Sequence, residues 1–317
     1  MSIQAKSLQA VILLSIPVTV SLSWVLGGEL VKAIPPVSLS IGRLALGVLV
    51  FFLFSSITRD LKDLPTPEKM RWWGQQALLA ATGRSAYYAL TATSLVSISP
   101  LEALIITTLM PVFTLALQRL IGVRFSSPGV PTFGLLATAA TVAAIVLKSG
   151  LSESGISTLH MGRLLMMAGI AAYVVHLVLY ARFVKDKNPA NPLFAQFLFG
   201  FLMLLPFEPH GLGFMSHLTA VSWFQFLVYA LVCNIVPFVA AHYALQTFGP
   251  FIVSTVASTS PFFGTLFAMA LGVPTPSFWF FAFGTLAAGF VFFCLRSNMG
   301  RTRSRILKDC TRSSEAT

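Results

Sequence analysis

Long apolar runs, each about the length of a membrane-crossing helix, alternate with short polar breaks from residue 8 to residue 296. A helix needs about 20 mainly apolar residues to cross the hydrocarbon core of a bilayer. The pattern predicts ten spans: 8–31, 36–57, 74–97, 100–120, 128–148, 161–184, 190–207, 221–247, 250–272 and 277–296. Several connections are only a few residues long, among them AIPP, SISP and VPTP. They read as tight helical hairpins, and a proline in the first helical position lacks only a donor that has no intrahelical partner there. The first run follows Lys6 and has the apolar core of a signal peptide. It has no convincing small-x-small cleavage site, it is long, and nine further spans follow, so it is assigned as the first helix.

Charge orients these spans. With the N-terminus inside, 16 Lys and Arg residues fall in cytoplasmic segments and 3 in outer segments; Arg43 and Arg84 lie within spans. Such a bias places both termini in the cytoplasm. The chain has 317 residues, 56% hydrophobic and 10% charged, with a formal charge of +11 and a mean hydropathy of +0.82. In a soluble protein that charge would point to nucleic acid. Here the basic residues sit in breaks between apolar runs, so no nucleic-acid partner is expected and the partner surface is the lipid bilayer. The tail RSNMGRTRSRILKDCTRSSEAT reads as a basic cytoplasmic end against anionic headgroups.

The polar punctuation repeats. In PLEALIITTLMPVF, Pro100, Pro111 and Phe113 have the spacing of Pro250, Pro261 and Phe263 in PFIVSTVASTSPFF, displaced by 150 residues, and Gly122 maps onto Gly272. In PVSLSIGRLALG, Pro36, Arg43 and Gly47 have the spacing of Pro189, Gln196 and Gly200 in PANPLFAQFLFG, displaced by 153. The expected organisation is a first five-helix repeat at 1–148, a polar linker at 149–160, a second repeat at 161–296 and a basic tail at 297–317. Five is odd, so the second repeat enters the membrane upside down relative to the first. The expected fold class is an all-α integral membrane protein of ten transmembrane helices in two inverted five-helix repeats, an arrangement of alternating-access carriers.

These residues resemble the drug/metabolite transporter superfamily, EamA type, over about residues 8–296. The resemblance rests on WVLGGELVKAIPPVSLSIGRLALG, LMPVFTLALQRLIG and HYALQTFGPFIVSTVASTSPFFGTLFAMALG, taken in order. Departures are Val25 where the family often has Gly after Trp, and Val123 and Val273 where it often has Glu. The resemblance implies transport of a small organic metabolite, often an amino acid or related compound, usually outward and often driven by the proton gradient. It implies a central cavity lined by spans one, three, four, six, eight and nine. The expected location is the bacterial cytoplasmic (inner) membrane. Uptake, or a non-transporting role as a flippase subunit or assembly partner, is the alternative.

An ionisable side chain at bilayer depth is costly, so it should face the bundle interior. Arg84 lies near the middle of span three, with Tyr87, Tyr88 and Thr91 on the same broad face. It reads either as an anion clamp with aromatic walls or as an arginine bonded to helix-end carbonyls. Span six places Tyr173, His176 and Tyr180 on one stripe, a lumen lining or a packed aromatic stripe. His176 is a proton-relay candidate because an ordinary imidazole titrates near neutrality. In span eight, Asn234, Pro237 or Phe238, and His242 share a face, and Asn234 stands 150 residues after Arg84. Trp24 in span one either stacks on a planar substrate or packs. Glu29 and Glu102 lie near outer helix ends, as solvated rim carboxylates or protonatable groups. Arg43 and Gln196 are expected to tie neighbouring helices together. Pro111 and Pro261 are expected hinge points in spans four and nine.

Carboxylates are too few and scattered for a metal site, and no catalytic triad, phosphate loop or HExxH is present. No enzyme activity and no cofactor are expected. Cys233, Cys294 and Cys310 form no framework, and the oligomeric state is not readable.

Overall fold

The computed structural model describes residues 3–57, 69–123, 128–149, 156–184, 188–208, 212–270, 282, 285–287 and 289–296. Residues 150–155 of the linker expected at 149–160, the basic tail at 297–317, Cys310, Gly272 and Val273 lie outside them; Ser149 ends one helix and residues 156–160 begin the next. All regular structure among the described residues is helical.

The chain opens with α1 (Ile3–Leu30) and α2 (Pro36–Ile57). A helical stretch follows in three pieces: α3 (Met70–Ala80), a π-helical segment (Ala81–Ala86) and α4 (Tyr87–Ser94). Next come α5 (Pro100–Thr107), α6 (Met110–Leu120), α7 (Gly129–Ser149), α8 (Ile156–Phe183) and α9 (Ala190–Leu204). A second three-part stretch is α10 (Ala220–Leu227), a π-helical segment (Val228–Val232) and α11 (Cys233–Phe248). Then follow α12 (Pro250–Ala257), α13 (Ser260–Ala270) and an apolar helix at Thr285–Arg296.

Among the described residues, seven segments are long and apolar enough to cross a membrane: Gln9–Leu30, Pro36–Ile57, Pro100–Leu120, Met161–Phe183, Ala190–Phe207, Ala220–Phe248 and Pro250–Phe267. Gly129–Ala143 and Thr285–Arg296 are apolar but shorter. The stretch from Met70 to Ser94 is helical throughout but carries Arg71, Gln75, Gln76 and Arg84, which lower its apolar character.

Prolines and caps start the helices where the sequence pattern places them. Pro36 opens α2, and Pro100 opens α5 behind the N-cap Ser99, whose hydroxyl accepts from the Glu102 amide at 3.2 Å. Gly249 alone joins α11 to α12, with φ +80°, a conformation that side chains with a Cβ rarely adopt.

Two helices break in mid-course. The bounds of α12 and α13 are those of α5 and α6 displaced by 150 residues. Pro111 and Pro261 each stand second in the later piece. A proline there cannot donate to the carbonyl four residues back, so Thr107 and Ala257 end the earlier pieces. Side chains at the breaks add bonds to the last turn of each earlier piece: Thr108 Oγ1 donates to the Ile105 carbonyl and Thr259 Oγ1 to the Val256 carbonyl.

Packing follows small residues. Helix α1 lies against α11 and α13, α8 lies against α4 and α6, and α2 lies against α9. A Cβ on Gly47 would stand 2.3 Å from the Phe197 ring, and one on Gly28 would stand 2.3 Å from Pro100. A Cβ on Gly264 would meet Leu104 at 2.4 Å.

Candidate functional site

A cavity lies where the two broken helices meet α1, α4, α8 and α11. Helix α1 contributes Ile16, Val20, Ser23 and Trp24, and α2 contributes Arg43. Tyr87 comes from α4, and Thr107 and Met110 come from the first break. Tyr173 and Leu177 face it from α8, and Cys233, Pro237 and Phe238 from α11. Val253 and Ala257 close it beside the second break. About 30 Å³ is open to the centre of a water molecule, room for about two waters. A metabolite needs far more, so binding one requires helices to part.

The wall is mostly apolar, with a few polar groups set into it. Arg43 is 7% exposed and its guanidinium is clamped. Nη1 donates to the Tyr229 hydroxyl at 3.0 Å and Nη2 to the Cys233 carbonyl at 2.8 Å. The Tyr88 and Tyr229 rings lie 4.3 and 4.4 Å from its carbon centre. Its Nε has no protein acceptor, and neither has Nε1 of Trp24, which is 5% exposed.

Beside this cavity the two π-helical segments hold a polar layer. A π turn widens the helix by one residue and frequently marks a functional site. Arg84 sits in the first such segment and is fully buried. Its guanidinium lies 3.4 Å from the centroid of Phe238 and 4.6 Å from that of Phe197. Its polar contacts are long, 3.4 Å to the Gly83 carbonyl and 3.5 Å to Gln196 Oε1. Gln196 in turn donates to Gln76 Oε1 at 2.8 Å. Arg84 therefore reaches the cavity through the Phe238 ring and is not itself part of the wall.

Asn234 follows the second π-helical segment. It accepts from the Tyr88 hydroxyl and donates to the Arg43 carbonyl at 3.1 Å. The Tyr173 ring stacks on Tyr87, 4.6 Å between centroids, and on His176 at 5.7 Å. His176 Nδ1 pairs with the Leu79 carbonyl at 3.0 Å, and a carbonyl only accepts, so Nδ1 carries the hydrogen. Gly83 makes this approach possible, since a Cβ there would stand 2.2 Å from the imidazole. Tyr180 continues the line: its ring lies 5.4 Å from His176 and its hydroxyl bonds His242 Nδ1 at 2.7 Å. His242 Nε2 meets the Gln246 amide nitrogen at 3.2 Å.

The structure thus sorts the sequence candidates. Trp24 and Tyr173 line the cavity. Tyr88, Asn234 and Arg84 form the adjoining layer, and His176, Tyr180 and His242 form a chain along α8 and α11. Glu29 and Glu102 stand apart, in ion pairs with Lys32 at 2.8 Å and with Arg163. Pro111 and Pro261 sit at the helix breaks. Sequence reasoning gave Arg43 a tying role; it ties α2 to α11 and also lines the cavity. Phe238, whose ring touches Arg84, Tyr88, Tyr173 and Phe197, had no signal beyond its shared face with Asn234. Among the described residues no group of three His, Cys, Asp or Glu side chains could hold a metal.

A family model described as the EamA-like transporter family matches residues 8–147 and 160–296. The chain belongs to the EamA-like transporter family. Its apolar helices and this membership make it a multi-pass integral membrane protein. A solved crystal structure of a protein has the same fold, with a TM-score of 0.66 and 19% identity. That alignment covers 89% of this EamA-like chain and 96% of the other. No curated protein matches.

Proposed function

We propose that the protein is a secondary carrier that exports a small organic metabolite, an amino acid or related compound, by alternating access. The observation that carries this reading is the cavity between the two broken helices, walled by residues from both family-matched halves. A scaffold or assembly partner has no need of such a cavity. Ten spans in two inverted repeats are part of the proposal. Supporting it, the breaks at 108–109 and 258–259 are 150 residues apart, and a π-helical segment precedes Tyr87 in one half and Cys233 in the other. The packing of α1 on α11 and α13 also mirrors that of α8 on α4 and α6.

In this mechanism the two units rock about the cavity, and the broken helices supply the flexible points. Proton drive falls to the buried imidazoles His176 and His242, because Glu29 and Glu102 are engaged in ion pairs near helix ends. The proposed location is the bacterial inner membrane, with both termini cytoplasmic.

The test is efflux from loaded, energised vesicles holding the purified full chain. Outward movement of an amino acid or related metabolite against its gradient is expected, and collapse of the proton gradient should stop it. Folded protein that moves no metabolite in either direction would overturn the carrier reading.

A further inference from the structure

We infer that the transported solute is an amphipathic organic anion, its carboxylate or equivalent head taken by Arg43 Nε and Trp24 Nε1, its apolar body against Phe238, Met110 and Tyr173. This deepens the carrier reading, narrowing its amino acids and related compounds to the related carboxylates that bear no ammonium, and rests on it.

The first ground is the pair of unpartnered donors. Both side chains are more than nine-tenths buried and both line the cavity. A buried donor without an acceptor costs about 1–3 kcal/mol, so native proteins rarely keep one. The unpartnered buried donors among the described residues also include Gln76 Nε2 and Arg84 Nε, but Arg43 Nε and Trp24 Nε1 belong to residues that line the cavity; both atoms are enclosed here and become reachable when the helices part. The clamp on Arg43 explains how. Tyr229 and the Cys233 carbonyl take Nη1 and Nη2, which fixes the guanidinium plane and leaves Nε–H in place for an acceptor. The indole of Trp24 can only donate. Both positions ask for acceptor atoms from the solute.

The second ground is the sign of the charge. Among the described residues no Asp or Glu lines the cavity. The acidic residues among those described are Glu29, Glu102 and Glu208, and none is buried. The two ion pairs among the described residues are Lys32–Glu29 and Arg163–Glu102, so neither Arg43 nor Arg84 has a carboxylate partner. Two buried guanidiniums therefore face each other's surroundings across Phe238 and the Tyr88–Asn234 layer with no acidic balance. In an interior of low dielectric that field favours an anion and disfavours an ammonium. The apolar part of the wall, which includes Ile16, Val20, Leu177 and Val253, fits a hydrocarbon body; Ser23, Thr107 and Tyr87 add hydroxyls but no second charge.

Three probes with one aromatic body separate the charge types: phenylacetate, phenylalanine and phenethylamine. Binding to the purified full chain in detergent is measured by calorimetry. Phenylacetate is expected to bind at least about tenfold more tightly than phenethylamine and no more weakly than phenylalanine. Trp24→Phe keeps the ring and removes the donor, and is expected to weaken phenylacetate about tenfold. Arg43→Gln is expected to weaken it further; should that variant fail to fold, Trp24→Phe still decides. Preference for phenethylamine, phenylalanine binding more tightly than phenylacetate, binding of none of the three, or full phenylacetate affinity in folded Trp24→Phe each overturns the inference. Proteoliposome flux is read separately. Phenylacetate binding without movement of any solute overturns the carrier reading and keeps the anion site. Flux of another solute without anion preference does the reverse.

Discussion

Asn234 donates from Nδ2 to the Arg43 carbonyl at 3.1 Å, while Arg43 Nη2 returns to the same helix at the Cys233 carbonyl, 2.8 Å away. Backbone and side chain of one arginine are thus both tied to α11. The positions matched to these two by sequence spacing also meet. Arg84, 150 residues before Asn234, donates to Gln196, 153 residues after Arg43, at 3.5 Å. The first contact is tight and orders a cavity wall. The second is loose, and its arginine is held chiefly by aromatic faces.

Replacing Asn234 should expose how much this tie contributes. Asn234→Leu leaves the Tyr88 hydroxyl without its acceptor in a buried layer and removes a second donor from the Arg43 carbonyl, which stays within the α2 helix. The unmet hydroxyl costs about 1–3 kcal/mol. Thermal unfolding in detergent should show a clear loss of stability. The double variant with Tyr88→Phe should lose less than the sum of the two single changes, because the hydroxyl it removes is the group left unpaired. Strict additivity would mean that the Tyr88–Asn234 bond contributes nothing to the fold.

Arg84→Met separates a charge that touches solute from one that only packs. The guanidinium lies behind Phe238, outside the cavity wall. A buried charge replaced by an apolar side chain of similar length is often tolerated or stabilising. The variant should insert, melt within about 2 kcal/mol of the parent and lose no more than about tenfold in affinity for an anionic solute, because its charge reaches the cavity only as a field through Phe238. An affinity loss of about a hundredfold with folded protein would instead assign Arg84 to direct recognition.

The helices and their breaks were legible because each leaves a local mark. An apolar run of fixed length, a proline at Pro100 or Pro250, and a second proline at Pro111 or Pro261 all act within one turn of themselves. The cavity wall was legible only in part. Arg84 and Arg43 look alike in sequence, each a single charge in an apolar run. What separates them is the π-helical turn around Arg84 and the Phe238 ring that covers it, and neither has a signature in residue order. Phe238 is one of 28 phenylalanines, so its central place could not be read from its type. Glu29 looked like a rim carboxylate and is exposed, paired with Lys32 one turn away. The partner of Glu102, Arg163, lies 61 positions further on, beyond the reach of any local pattern.

Glu102 and His242 should differ in what they do to energy coupling. Glu102 is only partly buried and already paired with Arg163. Exposed or half-exposed pairs contribute about 0–1 kcal/mol, so Glu102→Gln should change stability little. It should also leave the steady-state accumulation ratio driven by a proton gradient intact. His242 is buried and linked through Tyr180 to His176. His242→Gln keeps a polar side chain there but no titrating imidazole. Accumulation should fall to the passive level while counterflow exchange of solute persists. Uphill accumulation that survives in His242→Gln and is lost in Glu102→Gln would move coupling from the interior chain to the rim.

The prolines at the two breaks make the sharpest test of the rocking mechanism. Pro111→Ala restores an amide that can donate to the Thr107 carbonyl, and Pro261→Ala does the same toward Ala257. Thr107 and Ala257 both line the cavity, so continuous helices would stiffen the wall on two sides. Each alanine also improves intrinsic helix propensity, by up to about 3 kcal/mol relative to an interior proline. Both variants should therefore melt at or above the parent temperature, yet export more slowly, with affinity for solute nearly unchanged. The pair combined should be slowest, and rates measured in proteoliposomes alongside calorimetric binding separate motion from recognition. Parent-like flux in the stabilised double variant would show that the breaks shape the cavity without serving as its moving parts.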